Sequence, residues 1–306
     1  MTEQDSSPEG FRAGYAAIIG EPNVGKSTLL NGLLGQKISI VTPKPQTTRH
    51  KILGILSGEG HQIIFLDTPG LITPKYALHE AMMRAASLAM DDADLLILMI
   101  DGSRSRPPDD ATMAALLGQL QQRQKPVYLV INKVDLVNKD SLLPLIGQYA
   151  KSFSFREIIP LSALTRRGTE TLVQIMVRDL PLHPPYYPLD IISEAHQRFF
   201  VAEIVREKIF LKCREEIPYS ASVDIVEFKE REGGKWFISA DVYVEKPSQK
   251  GILIGKKGAM LRAVGALARK DIERFLDHPV FLELHVKVRE NWRQDEEWLH
   301  RLGYTS

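Results

Sequence analysis

Gly20, Glu21, Pro22, Asn23, Val24, Gly25, Lys26 and Ser27 spell G-x-x-x-x-G-K-S, and this octapeptide decides the fold of the first half of the chain. It follows an apolar run, Tyr15 to Ile19, and leads through Thr28 into Leu29 and Leu30. The loop therefore sits where a strand turns into a helix. At such a junction backbone N–H groups converge, and the helix dipole adds attraction for negative charge. The pattern reads as a phosphate cradle in which Lys26 reaches the β- and γ-phosphates of a nucleoside triphosphate and the Ser27 hydroxyl ligates Mg²⁺. Alone, the same residues also describe an ordinary glycine turn. Three further motifs in the right order exclude that reading.

Asn132, Lys133, Val134 and Asp135 follow the buried-strand pattern Pro126 to Ile131, which places them at a strand's carboxyl end, where open α/β sheets bind ligands. The Asp135 carboxylate can accept from N1–H and the 2-amino group of guanine. Adenine offers neither donor, and each hydrogen bond to a charged group contributes about 1.5–3 kcal/mol, so the pair selects the base. Asn132 is expected to brace the loop and the base edge, and the Lys133 stem to cover one face of the ring. Asp67, Thr68, Pro69 and Gly70 follow the strand-like Ile63 to Leu66. There Asp67 would hold Mg²⁺ through water, and the Gly70 N–H would touch the γ-phosphate. The proline-broken stretch Thr42 to Arg49 reads as a mobile loop in which Thr48, with Thr47 the alternative, completes the Mg²⁺ shell, while Lys44 and Arg49 read as solvated. Ordering of such a loop by γ-phosphate and its release after hydrolysis is a known switch device. Ser162, Ala163 and Leu164 follow Ile158 to Leu161, a position from which the Ala163 N–H would meet the guanine O6.

At 306 residues the chain has room for about two domains. Its 44% hydrophobic and 25% charged content is ordinary for globular chains. A single cysteine, Cys213, excludes an internal disulfide framework and a cysteine-rich zinc site. Met1 to Gly14 contains no apolar stretch of signal-peptide length, and Leu95 to Ile100, among the longest apolar runs, is too short to cross a bilayer. A cytoplasmic location is expected. Strand-like runs recur near Tyr15 and over Lys51 to Leu56, Ile63 to Leu66, Leu95 to Ile100, Val127 to Ile131 and Ile158 to Leu161, with helical patterns such as Leu78 to Met90 and Ala111 to Gln122 between most of them. That alternation predicts a mostly parallel sheet with helices on both faces.

Four prolines between Leu180 and Pro188 break the pattern and read as a stiff linker. Beyond it the expected order is a helix over Ser193 to Lys212 with Ser193 as N-cap, and strands over Ser222 to Phe228 and Trp236 to Val244. Gly255-Lys256-Lys257-Gly258, a helix over Ala259 to Phe275 and a strand over Val280 to Val288 follow. G-x-x-G turns tightly and approaches phosphates closely, and flanking lysines add charge at a helix start; such an element clamps about four nucleotides of single-stranded RNA. Net charge is only +1, yet Lys246 to Arg274 carries eight basic residues against Asp271 and Glu273. Clustered positive charge of this kind is the footprint of phosphate-backbone contact, or of a solvated helix face. Trp292 and Trp298 are expected to pack a C-terminal helix, without a catalytic role.

GEPNVGKS, QTTRH, DTPG, NKVD and SAL together look like the five signatures of a translation-factor-class GTPase, and the whole chain from about Tyr15 to Tyr304 resembles the bacterial Era family. The resemblance implies a P-loop GTPase domain of α/β class with a mostly parallel sheet, followed by a smaller α+β KH domain of type II. The implied divisions are a flexible tail (1–12), a GTPase domain (13–180), a linker (181–192) and a KH domain with a C-terminal helix (193–306). It further implies GTP and GDP as ligands, Mg²⁺ as cofactor, a monomer, and binding to the 3′ end of small-subunit ribosomal RNA during 30S maturation. Peripheral attachment to the inner membrane, with the basic run meeting anionic lipid, is the rival reading. Glu21 and Leu164 depart from the residues usual in relatives but touch no group assigned to chemistry. Leu71 stands where Ras-like switches carry a water-orienting glutamine. One substitute is a K⁺ ion held with the help of Asn23.

Overall fold

A computed structural model describes residues 10–104 and 110–304; residues 1–9 of the expected N-terminal tail lie outside them. The strand-like runs of the first half form one six-stranded sheet from β1 (Arg12–Ile19), β2 (Ile52–Gly58), β3 (His61–Asp67), β4 (Leu95–Asp101), β5 (Val127–Asn132) and β6 (Glu157–Pro160). Their order is β2-β3-β1-β4-β5-β6; β2 runs antiparallel to β3 and every other pair is parallel. The helices are α1 (Lys26–Leu34), α2 (Ala77–Asp92), α3 (Ala111–Arg123), α4 (Lys139–Ser152) and α5 (Thr169–Asp179). Every residue of β4 and β5 is buried, as parallel strands covered on both faces require. Ile19, Leu66, Leu98, Leu129 and Tyr149 belong to the core that results. The phosphate-loop, DTPG and NKVD motifs fall at the carboxyl ends of β1, β3 and β5.

The second unit contains α6 (Gln197–Lys212), α7 (Ile217–Ser220), β7 (Ser222–Lys229), β8 (Trp236–Val244), α8 (Pro247–Ile254), α9 (Ala259–Leu276), β9 (Val280–Val288) and α10 (Glu296–Arg301). Its sheet is ordered β7-β8-β9, antiparallel then parallel, with a bulge between Ile225 and Glu227. Alternation along β8 turns Ile238, Ala240, Val242 and Val244 onto a core shared with Val205 and Ile209 of α6 and Val264 and Ala268 of α9.

The chain divides into compact units that do not follow simple sequence order. One comprises residues 1–38, 51–72 and 83–194; the other comprises 39–50, 73–82 and 195–306. The proline-broken loop thus packs with the C-terminal residues, and this corrects the reading of its cations as solvated. Arg49 is 3% exposed and donates to the carbonyls of Pro218 at 3.1 Å, Tyr219 at 2.8 Å and Ala221 at 2.8 Å. Lys44 Nζ donates to the Phe210 and Cys213 carbonyls at the end of α6. Helix ends leave carbonyls unsatisfied, and cations are favoured there by the helix dipole.

Helix α6 begins at Gln197, with His196 as N-cap, four residues after the expected start. Ser193 is drawn away because its hydroxyl donates to the Leu53 carbonyl at 2.5 Å, beside an Ile55 N–H to Ile192 carbonyl bond of 2.7 Å. The neighbouring proline-rich stretch is held by buried Gln62, which accepts from the Tyr186 and Tyr187 N–H groups and donates to the Tyr187 carbonyl. Trp292 is fully buried, and its indole N–H donates to the Ser220 carbonyl at 2.9 Å. Trp298 lies edge-on to Tyr243 with the Arg289 and Arg301 guanidiniums 4.9 and 4.8 Å from its ring centre. Trp292→Ala should therefore destabilise the C-terminal unit by about 3–5 kcal/mol. Urea denaturation followed by circular dichroism checks this; an unchanged midpoint would show that Trp292 anchors nothing.

Candidate functional site

The loop after β1 is shaped by two glycines. Gly20 and Gly25 have φ of 149° and 103°. A Cβ on Gly20 would lie 2.2 Å from the Met99 carbonyl oxygen, and one on Gly25 2.3 Å from Asn132 Nδ2. Asn23 occupies the left-handed region at φ 65°. Lys26 opens α1 and is buried, with Nζ donating to the Gly20 carbonyl at 3.0 Å and the Glu21 carbonyl at 2.9 Å. Burial lowers its pKa to about 8, against the opposing pull of Asp67 and Glu21.

Asp67 ends β3 fully buried, and the Ser27 hydroxyl donates to its Oδ2 at 2.8 Å. Two hard oxygen donors are thus adjacent, which is the donor set Mg²⁺ takes when substrate phosphates supply the remaining ligands. Ser27 and Asp67 would hold the ion. Thr68 Oγ1 donates to the Ile18 carbonyl at 2.8 Å, pinning β3 to β1. Gly70 presses on the loop so closely that a Cβ there would lie 2.8 Å from Pro22. The Leu71 N–H donates to the Gly20 carbonyl at 3.0 Å while its side chain packs against the core. Thr28 is half-buried in the first turn of α1. Thr47 Oγ1 donates to the Lys44 carbonyl and lies 2.8 Å from Thr42 Oγ1; Thr48 is buried in the same segment.

On the base side, Asn132 Nδ2 donates to the Val24 carbonyl at 2.7 Å, and Asn132 Oδ1 accepts from the Ala163 N–H at 2.8 Å. One amide therefore joins the phosphate loop, the NKVD tetrad and the SAL segment. The Ala163 N–H, assigned above to a guanine O6, would be shared with Asn132. Ser162 is fully buried, with its hydroxyl accepting from the Thr165 N–H at 3.2 Å, and Leu164 is exposed. Asp135 is exposed in a 3-10 turn, Val134–Leu136, as a carboxylate awaiting a base edge must be. Lys133 has φ 65°, and its Nζ donates to Asp101 Oδ2 at 2.7 Å. Burial pushes the Asp101 carboxyl up, but hydrogen bonds from Lys133 and Ser103 outweigh it and hold it below its ordinary value. Sequence reasoning missed Asp101. Its place at the carboxyl end of β4 was the available signal.

In the C-terminal unit, α8 is capped at its carboxyl end by Gly255, whose φ is 72° and whose Cβ, if present, would lie 2.8 Å from that of Met260. Lys257 at φ 50° and Gly258 at φ 76° continue the turn into α9. Both lysines are exposed, and Ile252 just before them is 54% exposed. The element presents two charges and an apolar side chain at a helix start.

Residues 15–133 match a family of 50S ribosome-binding GTPases, and residues 216–293 match the KH domain. The chain is 46% identical over 300 residues to a protein of Geobacter metallireducens named GTPase Era, covering 98% of this chain and all of that one. It is 47% identical over 294 residues to a chloroplastic Era-like GTPase of Arabidopsis thaliana. Among solved structures, Aquifex aeolicus Era bound to GDP and AlF4⁻ superposes with TM-score 0.92 and 40% identity over 97% of this chain and all of that one. A crystal structure of Era with MgGDPNP and nucleotides 1506–1542 of 16S ribosomal RNA aligns equally well.

The lowered pKa of Lys26 has a thermodynamic consequence. Phosphate oxygens would raise it again, so triphosphate binding should take up a proton between the free-state value of about 8 and the ordinary lysine range, and affinity should fall as pH rises through that window. Calorimetry at about pH 9 in buffers of different ionisation enthalpy measures the uptake. Uptake of the same size in Lys26→Met would assign it elsewhere.

Proposed function

The chain belongs to the Era family of GTPases, and from that premise we propose that it is a GTP-hydrolysing switch that binds the 3′ end of small-subunit ribosomal RNA and assists 30S subunit assembly. The observation that supports this most directly is the pairing, in one chain, of an Asn132-braced phosphate cradle with an exposed G-x-x-G element. The relative solved with both MgGDPNP and ribosomal RNA supports the same pairing of ligands. We take residues 13–180 as the nucleotide-binding domain and 193–306 as the RNA-binding domain, with 39–50 and 73–82 lent to the latter's packing.

In hydrolysis, water attacks the γ-phosphorus in line, the bond to the β-γ bridging oxygen breaks, and GDP and phosphate leave. Lys26 moves from the Gly20 and Glu21 carbonyls to the β- and γ-phosphates, where its charge offsets that of the departing GDP. Bound Mg²⁺ neutralises phosphate charge. Ser27 and Asp67, with Thr48, would hold it, and the Gly70 N–H would meet the γ-phosphate. Asp135 selects guanine and Lys133, held by Asp101, flanks the ring. Leu71 packs inward and has no group to orient water, so the attacking water needs another polarising charge. We propose that Asn23 would help hold a K⁺ ion, which would supply that charge. GTP turnover should therefore be several-fold faster in K⁺ than in Na⁺, and Asn23→Ala should remove the difference; equal rates in both salts would refute the assignment.

No helix among the described residues is long and apolar enough to cross a membrane. The basic run can meet RNA or anionic lipid, and charge reversal in the G-x-x-G element separates them. With Lys256→Asp and Lys257→Asp together, affinity for single-stranded RNA of the small-subunit 3′ end should fall at least about tenfold, because two backbone contacts are reversed. Basal GTP turnover should not change. Filter binding and liposome sedimentation report the two arms, and loss of liposome binding with RNA binding intact would favour the membrane reading.

A further inference from the structure

The C-terminal unit holds a cavity of about 320 Å³ that shares no residue with the G-x-x-G element. Its wall is built from the start of α6, the first half of β7, His50 and the tail at Leu302 to Tyr304. The volume is at the lower end of those that hold small ligands. Three aromatic rings line it. His50 stacks on Tyr304 with centres 4.4 Å apart and meets Phe199 edge-on at 5.3 Å, and Trp292 continues the stack behind Tyr304 at 6.0 Å.

The polar groups on this wall are of mixed type. Arg206, 1% exposed, lies beneath this wall with Nε and Nη2 given to Glu203 and its Nη1 closed off from any occupant. His50 Nδ1 faces the Gly303 carbonyl at 3.1 Å, so the neutral ring carries its proton there and leaves Nε2 as an acceptor. Asp224 adds a half-buried carboxylate, and Arg198 an exposed guanidinium. A purely apolar occupant would leave the Asp224 carboxylate unpaired, which is costly. A simple anion would meet the Asp224 charge. A planar ring that carries both donors and acceptors, with a phosphate attached, satisfies the wall.

We propose that this cavity is a subsite for one nucleobase, its edge read by Asp224, its plane beside His50 and Phe199, and its phosphate met by Arg198. A base of a bound RNA strand and a free nucleotide offer the same chemistry. For the first source the inference rests on the RNA-binding reading above; for the second it does not. His50 follows Thr47, Thr48 and Arg49 directly, so an occupant here touches the loop that carries the expected Mg²⁺ ligand.

The test uses the full chain saturated with GDP and Mg²⁺, so that the guanine site is filled. Two probes are titrated: 2-aminopurine riboside 5′-monophosphate, and a single-stranded oligoribonucleotide with one internal 2-aminopurine. Stacking quenches the fluorescence of either. Quenching by the wild type is expected, with affinity for the monophosphate lowered about ten- to a hundredfold in Asp224→Asn, which keeps the side chain's shape but reverses half of its hydrogen bonding. Arg198→Ala, at an exposed position, should weaken the monophosphate but not the unphosphorylated riboside. The Lys256→Asp, Lys257→Asp variant should keep monophosphate binding, and that result separates this site from the G-x-x-G element. Quenching by the monophosphate alone assigns the site to free nucleotide, and by the oligonucleotide alone to RNA. If neither probe is quenched, or quenching is indifferent to Asp224→Asn in a variant that melts like the wild type, the cavity is not a base site. Failure of the RNA reading would instead appear as an oligonucleotide that does not bind while the monophosphate still titrates.

Discussion

The carboxamide of Asn132 holds together three loops that are far apart in sequence. Its nitrogen donates to Val24 in the phosphate loop and its oxygen accepts from Ala163 in the SAL segment. Donor and acceptor are both used, so aspartate, which has no donor, could not replace it. The same amide explains Gly25, because a Cβ there would occupy the place of Nδ2. The phosphate cradle and the base reader are thus one rigid object, braced from the end of a buried strand. Preorganisation of that kind keeps the reorganisation cost of binding low.

A different economy governs α6. Glu203, Arg206, Glu207 and Lys208 are all buried on one helix, although charges leave water at high cost unless paired. Arg206 is held by Glu203; Lys208 lies between Glu207 and Asp271; and Glu207 accepts from the Val41 N–H at 3.2 Å. With Lys44 and Arg49 on the nearby helix-end carbonyls, the loop from Ser39 to His50 is bound by many polar contacts beside buried Ile40 and the stacked His50 ring. Such contacts have alternatives in water and phosphate, whereas a packed apolar face does not. A loop held in this way can be exchanged between partners without dismantling a core.

Most of the nucleotide site was legible because its chemistry is local. A glycine that must take φ above 90° before a buried lysine, or an asparagine at the end of an apolar strand, announces itself in a few consecutive residues. The order of strands and helices was legible for the same reason, since burial on two faces or one leaves period and run length in the sequence. What escaped depends on residues far apart in the chain. Arg49 looked solvated because its acceptors lie beyond residue 217. Ser193 looked like an N-cap because nothing in its neighbourhood reveals that the Leu53 carbonyl competes for its hydroxyl. Asp101 stood unnoticed because a single aspartate after a strand gains meaning only once Lys133 reaches it.

The parallel pairing of β8 with β9 constrains the order of events at the ribosome that makes this protein. Antiparallel β7 and β8 can pair as soon as both have emerged, but β9 joins β8 only after the whole crossover through α8 and α9 has been synthesised. Trp292 and Tyr304 arrive later still. The loops 39–50 and 73–82 pack with elements made last, so during translation they are without most of their contacts while Ala163, the last residue of the Asn132 brace, has already been synthesised. A nascent chain therefore carries the residues of its phosphate cradle and base reader well before the segments 39–50 and 73–82 acquire their seats.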